Sequence, residues 1–354
     1  MNDRFCACLF ALMLMLPSAA LPQGFAGLGT EAEGFALPDP DYRLRFPEDH
    51  GPHPAFRIEW WYVTANLTGP DGSDYGIQWT LFRSALKPGE AEGWASPQIW
   101  MGHAAATTTE AHYSAERLAR GGIGQAGVTA QPFDAWIDDW RMRGQDFDTL
   151  RLRAASDDFA YDLSLQAQGP LVLHGRDGHS VKSADGQASH YYSQPAYAVT
   201  GTLSLPDGET QVTGTAWLDR EWSSQPLSPD QTGWDWFSLG FEDGTRLMAF
   251  RLRGGRGDFT SGTWIEANGR ATALPDGAIR LQPLERTGPP NRRIPTTWSL
   301  VLPERDLDLR IEAMNPDAWM ETSFLYWEGP VRISGSHSGK GYLEMTGYGE
   351  DDEG

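Results

Sequence analysis

Cysteine is nearly missing from this chain: Cys6 and Cys8 both stand close to the N-terminus and none follows. Once that end is removed, no disulfide can form, so packing alone must hold the chain together. Positive charge is also scarce. Lys and Arg number 28 against 48 Asp and Glu, giving a net charge of -20 at pH 7. This excludes nucleic acid and anionic lipid headgroups as direct partners, since both call for basic patches. Long apolar runs are limited to residues 5–16, too short for the roughly 20 residues that a membrane-spanning helix needs. HExxH, GxSxG and P-loop motifs are all missing, and the 8 histidines show no zinc-like spacing; His50 and His53 read as parts of a proline-rich loop. Gly122-Ile123-Gly124-Gln125-Ala126-Gly127 has the form of a dinucleotide fingerprint but precedes an extended stretch instead of opening a helix, so it reads as a loop. No metal or organic cofactor is expected.

The first 20 residues have the three parts of a secretory leader: Arg4, the apolar run, and the small-residue end Pro17-Ser18-Ala19-Ala20. Cleavage is expected near Ala20, with export to the periplasm or beyond. The two cysteines precede the apolar run, which is the wrong place for a lipid anchor. Residues 21–45 read as a linker and residues 350–354 as a solvated acidic tail.

What is abundant describes a β protein. The chain carries 40 Gly, 24 Pro and 15 Trp, a mixture of turn formers and strand-forming aromatics. Apolar and polar residues alternate over 75–82, 159–165, 197–205, 210–218, 247–252, 297–302 and 307–311. Between such runs fall turn signals, among them Pro70-Asp71-Gly72, Pro206-Asp207-Gly208, Glu242-Asp243-Gly244 and Asn268-Gly269. One helix is expected, over residues 110–120, stopped by Gly121-Gly122. A repeat is visible too: Trp61-Tyr62, Asp71-Gly72 and Phe82-Arg83 are answered by Trp236-Phe237, Asp243-Gly244 and Phe250-Arg251. The reading is mainly β, with two consecutive antiparallel β-barrel domains over residues 46–228 and 229–349. Barrels remove their own sheet edges and leave an interior cavity for a ligand.

Two stretches concentrate chemistry. In His190-Tyr191-Tyr192-Ser193, the two-residue period puts His190 and Tyr192 on one face. In Trp217-Leu218-Asp219-Arg220-Glu221-Trp222 it puts Trp217, Asp219 and Glu221 on one face, aiming two carboxylates and an indole at the same space. A carboxyl group in an aromatic cavity loses hydration, its pKa rises, and it becomes a proton donor near neutral pH. The competing reading pairs Asp219 and Glu221 with Arg220, Arg57 or Arg83 to close a barrel end, and residue types alone favour it. Glu59, whose aligned counterpart is Trp234, is expected to line the first barrel.

The sequence resembles the carotenoid 1,2-hydratase family (hydroxyneurosporene synthases) and, more closely, the secreted AttH-type lipocalin-like proteins. The likeness rests on Glu59-Trp60-Trp61-Tyr62-Val63, Asp219-Arg220-Glu221-Trp222 with Pro226-Leu227, Gly233-Trp234-Asp235-Trp236-Phe237, and Tyr326-Trp327-Glu328-Gly329 followed by Gly341-Tyr342-Leu343-Glu344-Met345. It implies two lipocalin-like barrels. It also implies a catalytic set in which Asp219 protonates an alkene, Trp217 and Tyr192 stabilise the carbocation, and His190 orients or deprotonates water. Hydratases of the family carry a Trp where Tyr192 stands and a Tyr where Trp217 stands, so substrate and reaction are open on this point. Glu59, Trp61, Glu221, Trp222, Asp235 and Trp236 are the expected ligand-binding residues, for an apolar lipid, isoprenoid or polyene. Two functions follow: hydration or isomerisation of an alkene, a hydro-lyase chemistry, or a non-catalytic periplasmic carrier associated with an ABC-type lipid transport system. A hydrolase is the weakest reading, since no nucleophile with its base is visible.

Overall fold

The computed structural model describes residues 33–348, apart from Pro226 and Pro229. The leader, residues 21–32 of the linker, Gly349 and the acidic tail lie outside the described residues. Alternation becomes strand because each strand buries one face: in Phe133–Ile137 and Thr149–Ala155 buried positions alternate with more exposed ones. Asp-Gly turns then reverse the chain. Asp71-Gly72 joins Ile58–Thr68 to Asp74–Ala85, and Asp243-Gly244 joins Gln231–Phe241 to Arg246–Gly254. Gly72 and Gly244 hold φ of 85° and 86°, a left-handed conformation that glycine adopts without steric penalty.

The strands form two antiparallel sheets, one of 13 strands and one of 10, each curled into a nearly closed barrel. Both follow one plan. The first strand lies mid-sheet, three more step outward from it, and the later strands meander back until the last long one pairs with the first. That closing pair is Gly208–Ser223 on Ile58–Thr68 in the first sheet and Gly339–Met345 on Gln231–Phe241 in the second. The two ends of the first sheet come together next to their edge strands, at Gly102 of Gln98–Thr107, where a Cβ would stand 2.7 Å from Ile137 Cγ2 of Phe133–Ile137.

The barrel interiors are packed with large side chains, contrary to the expectation of an interior cavity. Trp61, Trp79, Trp140 and Trp222 fill the first and Phe237, Trp298 and Trp327 the second. The two barrels meet outer face to outer face, where Tyr62, Tyr191, Trp217, Trp236, Phe250 and Tyr342 form a third apolar cluster. Contact is close at Gly76, where a Cβ would lie 2.6 Å from Pro330 Cγ.

Two further expectations are corrected. Residues 110–120 are not helical: His112–Arg120 is a strand paired with Gln98–Thr107, from Thr107 opposite His112 to Ile99 opposite Arg120. Its helix-forming residues yield to an open sheet edge, because tertiary pairing outweighs weak intrinsic propensity. The repeat is real but its alignment moves by one residue. Glu59 faces Arg83 and Trp60 faces Phe82, just as Asp235 faces Arg251 and Trp236 faces Phe250. Asp235 is therefore the counterpart of Glu59, and Trp236 that of Trp60.

Candidate active site in the seam between the barrels

The shifted alignment explains where the cleft lies. Trp60 and Tyr62 point out of the first barrel, Trp234 and Trp236 point out of the second, and they meet around a cleft of about 670 Å³ including its open mouth. Thr80 and Phe82 come from one sheet, Phe250 and Leu252 from the other. Acidic groups enter from the closing strands: Glu221 stands opposite Trp60, and Glu344 opposite Trp236, so the repeat delivers a Trp-Glu pair from each side. Asp219 completes the set, beside Tyr62.

Asp219 is buried and has no cation partner among the described residues. Its Oδ1 accepts hydrogen bonds from Trp217 Nε1, at 2.6 Å, and from Ser193 Oγ. Its Oδ2 faces Tyr191 Oη at 2.5 Å. Burial raises the Asp219 pKa more strongly than these donors lower it, and Glu221 adds like charge, so it climbs from its usual 3.8 to about 7. With Oδ1 occupied by two donors, Oδ2 is the oxygen left to carry a transferable proton. Tyr191 accommodates either state, since a hydroxyl both donates and accepts, and its own oxygen is fixed by Trp236 Nε1 at 3.1 Å.

Behind Asp219 stands His174, which the sequence did not single out. Its Nε2 lies 2.6 Å from Ser193 Oγ and its Nδ1 2.8 Å from Thr263 Oγ1, a residue of the second barrel. Burial first, and Lys182 second, hold this imidazole well below its usual pKa and therefore neutral. With the proton on Nε2, a directed chain runs from Thr263 through His174 and Ser193 to Asp219. The ring also packs against Tyr191, centroid to centroid 4.1 Å.

The other acids differ in their partners. Glu221 forms an ion pair with Lys182 at 2.8 Å and accepts from Ser189 Oγ. Lys182 also lies over the rings of Phe250 and Tyr191, at 4.4 and 4.7 Å. Glu344 accepts from Trp234 Nε1 at 2.6 Å, and burial raises its pKa to about 8. Glu328 accepts from Tyr62 Oη and is likewise driven upward by burial and by Glu344. Among the described residues no three His, Cys, Asp or Glu side chains converge to hold a metal ion.

Of the residues expected at the site, the cleft brings together Asp219, Glu221 and Trp236, with Trp217 bonded to Asp219 from the side. His190 and Tyr192 are on the opposite face of the sheet. The register sets Ser193 opposite Asp219 and Tyr192 opposite Arg220, so Tyr191 and Ser193, not His190 and Tyr192, share the face of Asp219. Tyr192 is in the first barrel's core, and His190 lies against Tyr42, Phe56 and Trp222, its pKa lowered by burial to about 4. Glu59, Trp61 and Trp222 belong to that interior too. Glu59 is held by Arg83 and Arg220, and Arg220 stacks on Trp61 and Trp222 at 3.9 and 4.9 Å. Asp235 makes the matching arrangement in the second barrel, with Arg251 and Arg253 each at 2.8 Å and Tyr348 Oη also at 2.8 Å. The ion pairs expected for Asp219 are thus made by Glu59.

A family model described as AttH-like matches residues 37–348. No curated protein sequence matches the chain significantly. Among solved structures, an AttH protein of Nitrosomonas europaea is 32% identical with a TM-score of 0.79, over 89% of this chain and 100% of its own. Kievitone hydratase of Nectria haematococca shares the fold at 15% identity and a TM-score of 0.67, over 88% of this chain and 97% of its own. CghA, solved with Sch210972, does so at 14% and 0.55, over 83% of this chain and 89% of its own. On the match along nearly all of the described residues, this chain belongs to the AttH-like family.

Proposed function

We propose that this protein binds an uncharged apolar molecule in the seam between its barrels and adds water to, or isomerises, an alkene within it, with Asp219 as the acid. One observation carries the reading: a buried carboxyl group, with no cation partner among the described residues, stands at the wall of an aromatic cleft, where burial raises its pKa to about 7. The proton on Oδ2 adds to the less substituted alkene carbon, leaving a tertiary carbocation and the Asp219 carboxylate. The rings of Trp60, Phe82 and Trp236, which line the cleft, stabilise that cation. Water then forms the new carbon–oxygen bond, oriented by Glu221, and its surplus proton returns to Asp219. Loss of a proton from the cation without water addition gives the isomer. His174 keeps Ser193 donating to Oδ1 and so keeps the mobile proton on Oδ2. A fold shared with a hydratase agrees with this chemistry. Export by the leader at residues 1–20 is part of the reading.

The test is turnover. The mature protein and its Asp219→Asn form are incubated with neurosporene- and lycopene-type polyenes, and products are sought by mass spectrometry. Water addition or a shifted double bond, lost in Asp219→Asn by about 10²–10⁴, supports the acid role. No product, with the same lipid retained equally by both forms, would mean a carrier and would overturn it.

A further inference from the structure

One end of the first barrel carries an apolar surface that the reaction above does not use. Five of the nine large apolar side chains exposed among the described residues belong to it: Leu86, Trp94, Ile99, Leu118 and Ile123. Trp94 is 72% exposed, Leu86 65% and Leu118 58%. Backbone hydrogen bonds hold their segments together. Leu86 N–H donates to Pro97 O at 2.9 Å, Gly93 N–H to Gly122 O at 3.0 Å and Gly121 N–H to Gln98 O at 2.9 Å, so the loops at 86–97 and 121–125 lie side by side. The surface is continuous with the cleft. Cross-strand register sets Trp60 opposite Phe82, Phe82 opposite Met101 and Met101 opposite Leu118, one row on the outer face that starts in the cleft wall and ends on the edge strand His112–Arg120. Ile99 shares that face with Met101, two residues away on Gln98–Thr107. Charges on the surface cancel: residues 86–99 and 118–125 hold Lys87 and Arg120 against Glu90 and Glu92, in a chain of net charge -20.

We propose that this end of the first barrel docks on a lipid surface of zwitterionic headgroups, and that the row through Met101 leads an apolar molecule from that surface into the cleft. The inference rests on the reading of the cleft as a site for such a molecule. Apolar side chains scattered singly are ordinary on a protein surface, whereas a contiguous group marks a contact. A loop tryptophan beside leucine and isoleucine suits the headgroup boundary, where the ring meets apolar chains and its N–H stays wet. Local neutrality selects the headgroup: anionic lipid would be repelled by a chain of net charge -20 and finds no basic cluster here to hold it. A protein partner finds no unbalanced charge here to fix its orientation. Continuity with the cleft points the same way. A molecule that leaves a bilayer over Leu118 and Met101 reaches Phe82 and Trp60 along apolar side chains, without crossing water.

Docking is tested by floating the full mature chain with phosphatidylcholine vesicles on a density gradient. Wild type is expected to float with them, and Trp94→Ser and Leu118→Ser should each lower the partition coefficient about tenfold. Both side chains are exposed, so the variants should keep the wild-type melting temperature. Leu284→Ser, which removes an exposed leucine of the second barrel, should float as wild type does. Wild type that stays at the bottom of the gradient, or that floats equally with Trp94→Ser and Leu118→Ser, would overturn the proposal. So would binding confined to anionic vesicles, or a dimer that Trp94→Ser dissociates, since a second copy would then cover the surface. Failure of the cleft reading would appear separately, as protein that floats with the vesicles yet takes up none of their lipid when it is recovered.

Discussion

Two of the acidic residues buried in the first barrel, Glu59 inside and Asp219 in the seam, stand on neighbouring strands, and their surroundings drive them in opposite directions. Burial works against the charge on Glu59, but the flanking Arg83 and Arg220 guanidinium groups overcome it and hold the carboxyl well below the usual carboxylate range. Asp219 has only neutral donors, and burial lifts it to about 7. Burial is common to both, so the cation decides. A buried carboxylate with its arginines holds a barrel end together, whereas one without becomes a proton donor. In the second barrel Asp235 makes ion pairs with Arg251 and Arg253, as Glu59 does with its arginines, and Glu344 is raised by burial as Asp219 is.

The contrast is broken most severely at Glu59. Glu59→Gln leaves Arg83 and Arg220 buried without a counter-charge and should cost about 3–5 kcal/mol in denaturant unfolding. Next comes pH. Asp219 is raised from 3.8 to about 7 in the folded chain, so the stability it contributes is fully present below about pH 4 and is lost as pH climbs through about 7. Glu344, raised from 4.5 to about 8, acts in the same direction. Glu59 has the opposite sign: its contribution is present above its usual 4.5 and is lost as pH falls toward its depressed value. The share of unfolding free energy that these two acids contribute should therefore decline by a few kcal/mol between about pH 4 and 8, against the opposite trend of buried histidines such as His174 and His190, and is read as the difference between wild type and variant; each tenfold difference in proton affinity between the folded and unfolded chain is worth roughly 1.4 kcal/mol. Asp219→Asn should flatten that slope. A smaller effect is expected at Trp234→Phe, which removes the donor to Glu344. It should cost about 1 kcal/mol and move the Glu344 titration further upward. Smallest of all is Asp219→Asn at pH 7, with stability changed by less than about 1 kcal/mol, since no cation is left unpaired.

Alternation and Asp-Gly turns made the two-barrel plan legible, because both are local properties of the chain. Register is not local. Aligning Trp61 with Trp236 instead of Trp60 with Trp236 reverses every face, and it hid the likeness of Glu59 to Asp235. The same limit misplaced His190 and Tyr192. The two-residue period shows that they share a face, and that Trp217 and Asp219 share one, but only the pairing of Ser193 with Asp219 shows that these faces are opposite. His174 carried no usable signal. It follows the two-residue strand Val172–Leu173, and its partners Ser193 and Thr263 lie 19 and 89 residues away. Lys182, Trp234 and Glu344 join the cleft only when the two barrels meet, a contact that no stretch of sequence encodes by itself.

The central claim is the protonation of Asp219, and a carboxyl titration reads it directly. The mature protein is labelled with ¹³C at the aspartate side-chain carboxyls, and NMR titrations of wild type and Asp219→Asn are subtracted. The account predicts a difference signal with its midpoint at about pH 7. A midpoint below about 5, within the ordinary aspartate range, would contradict it.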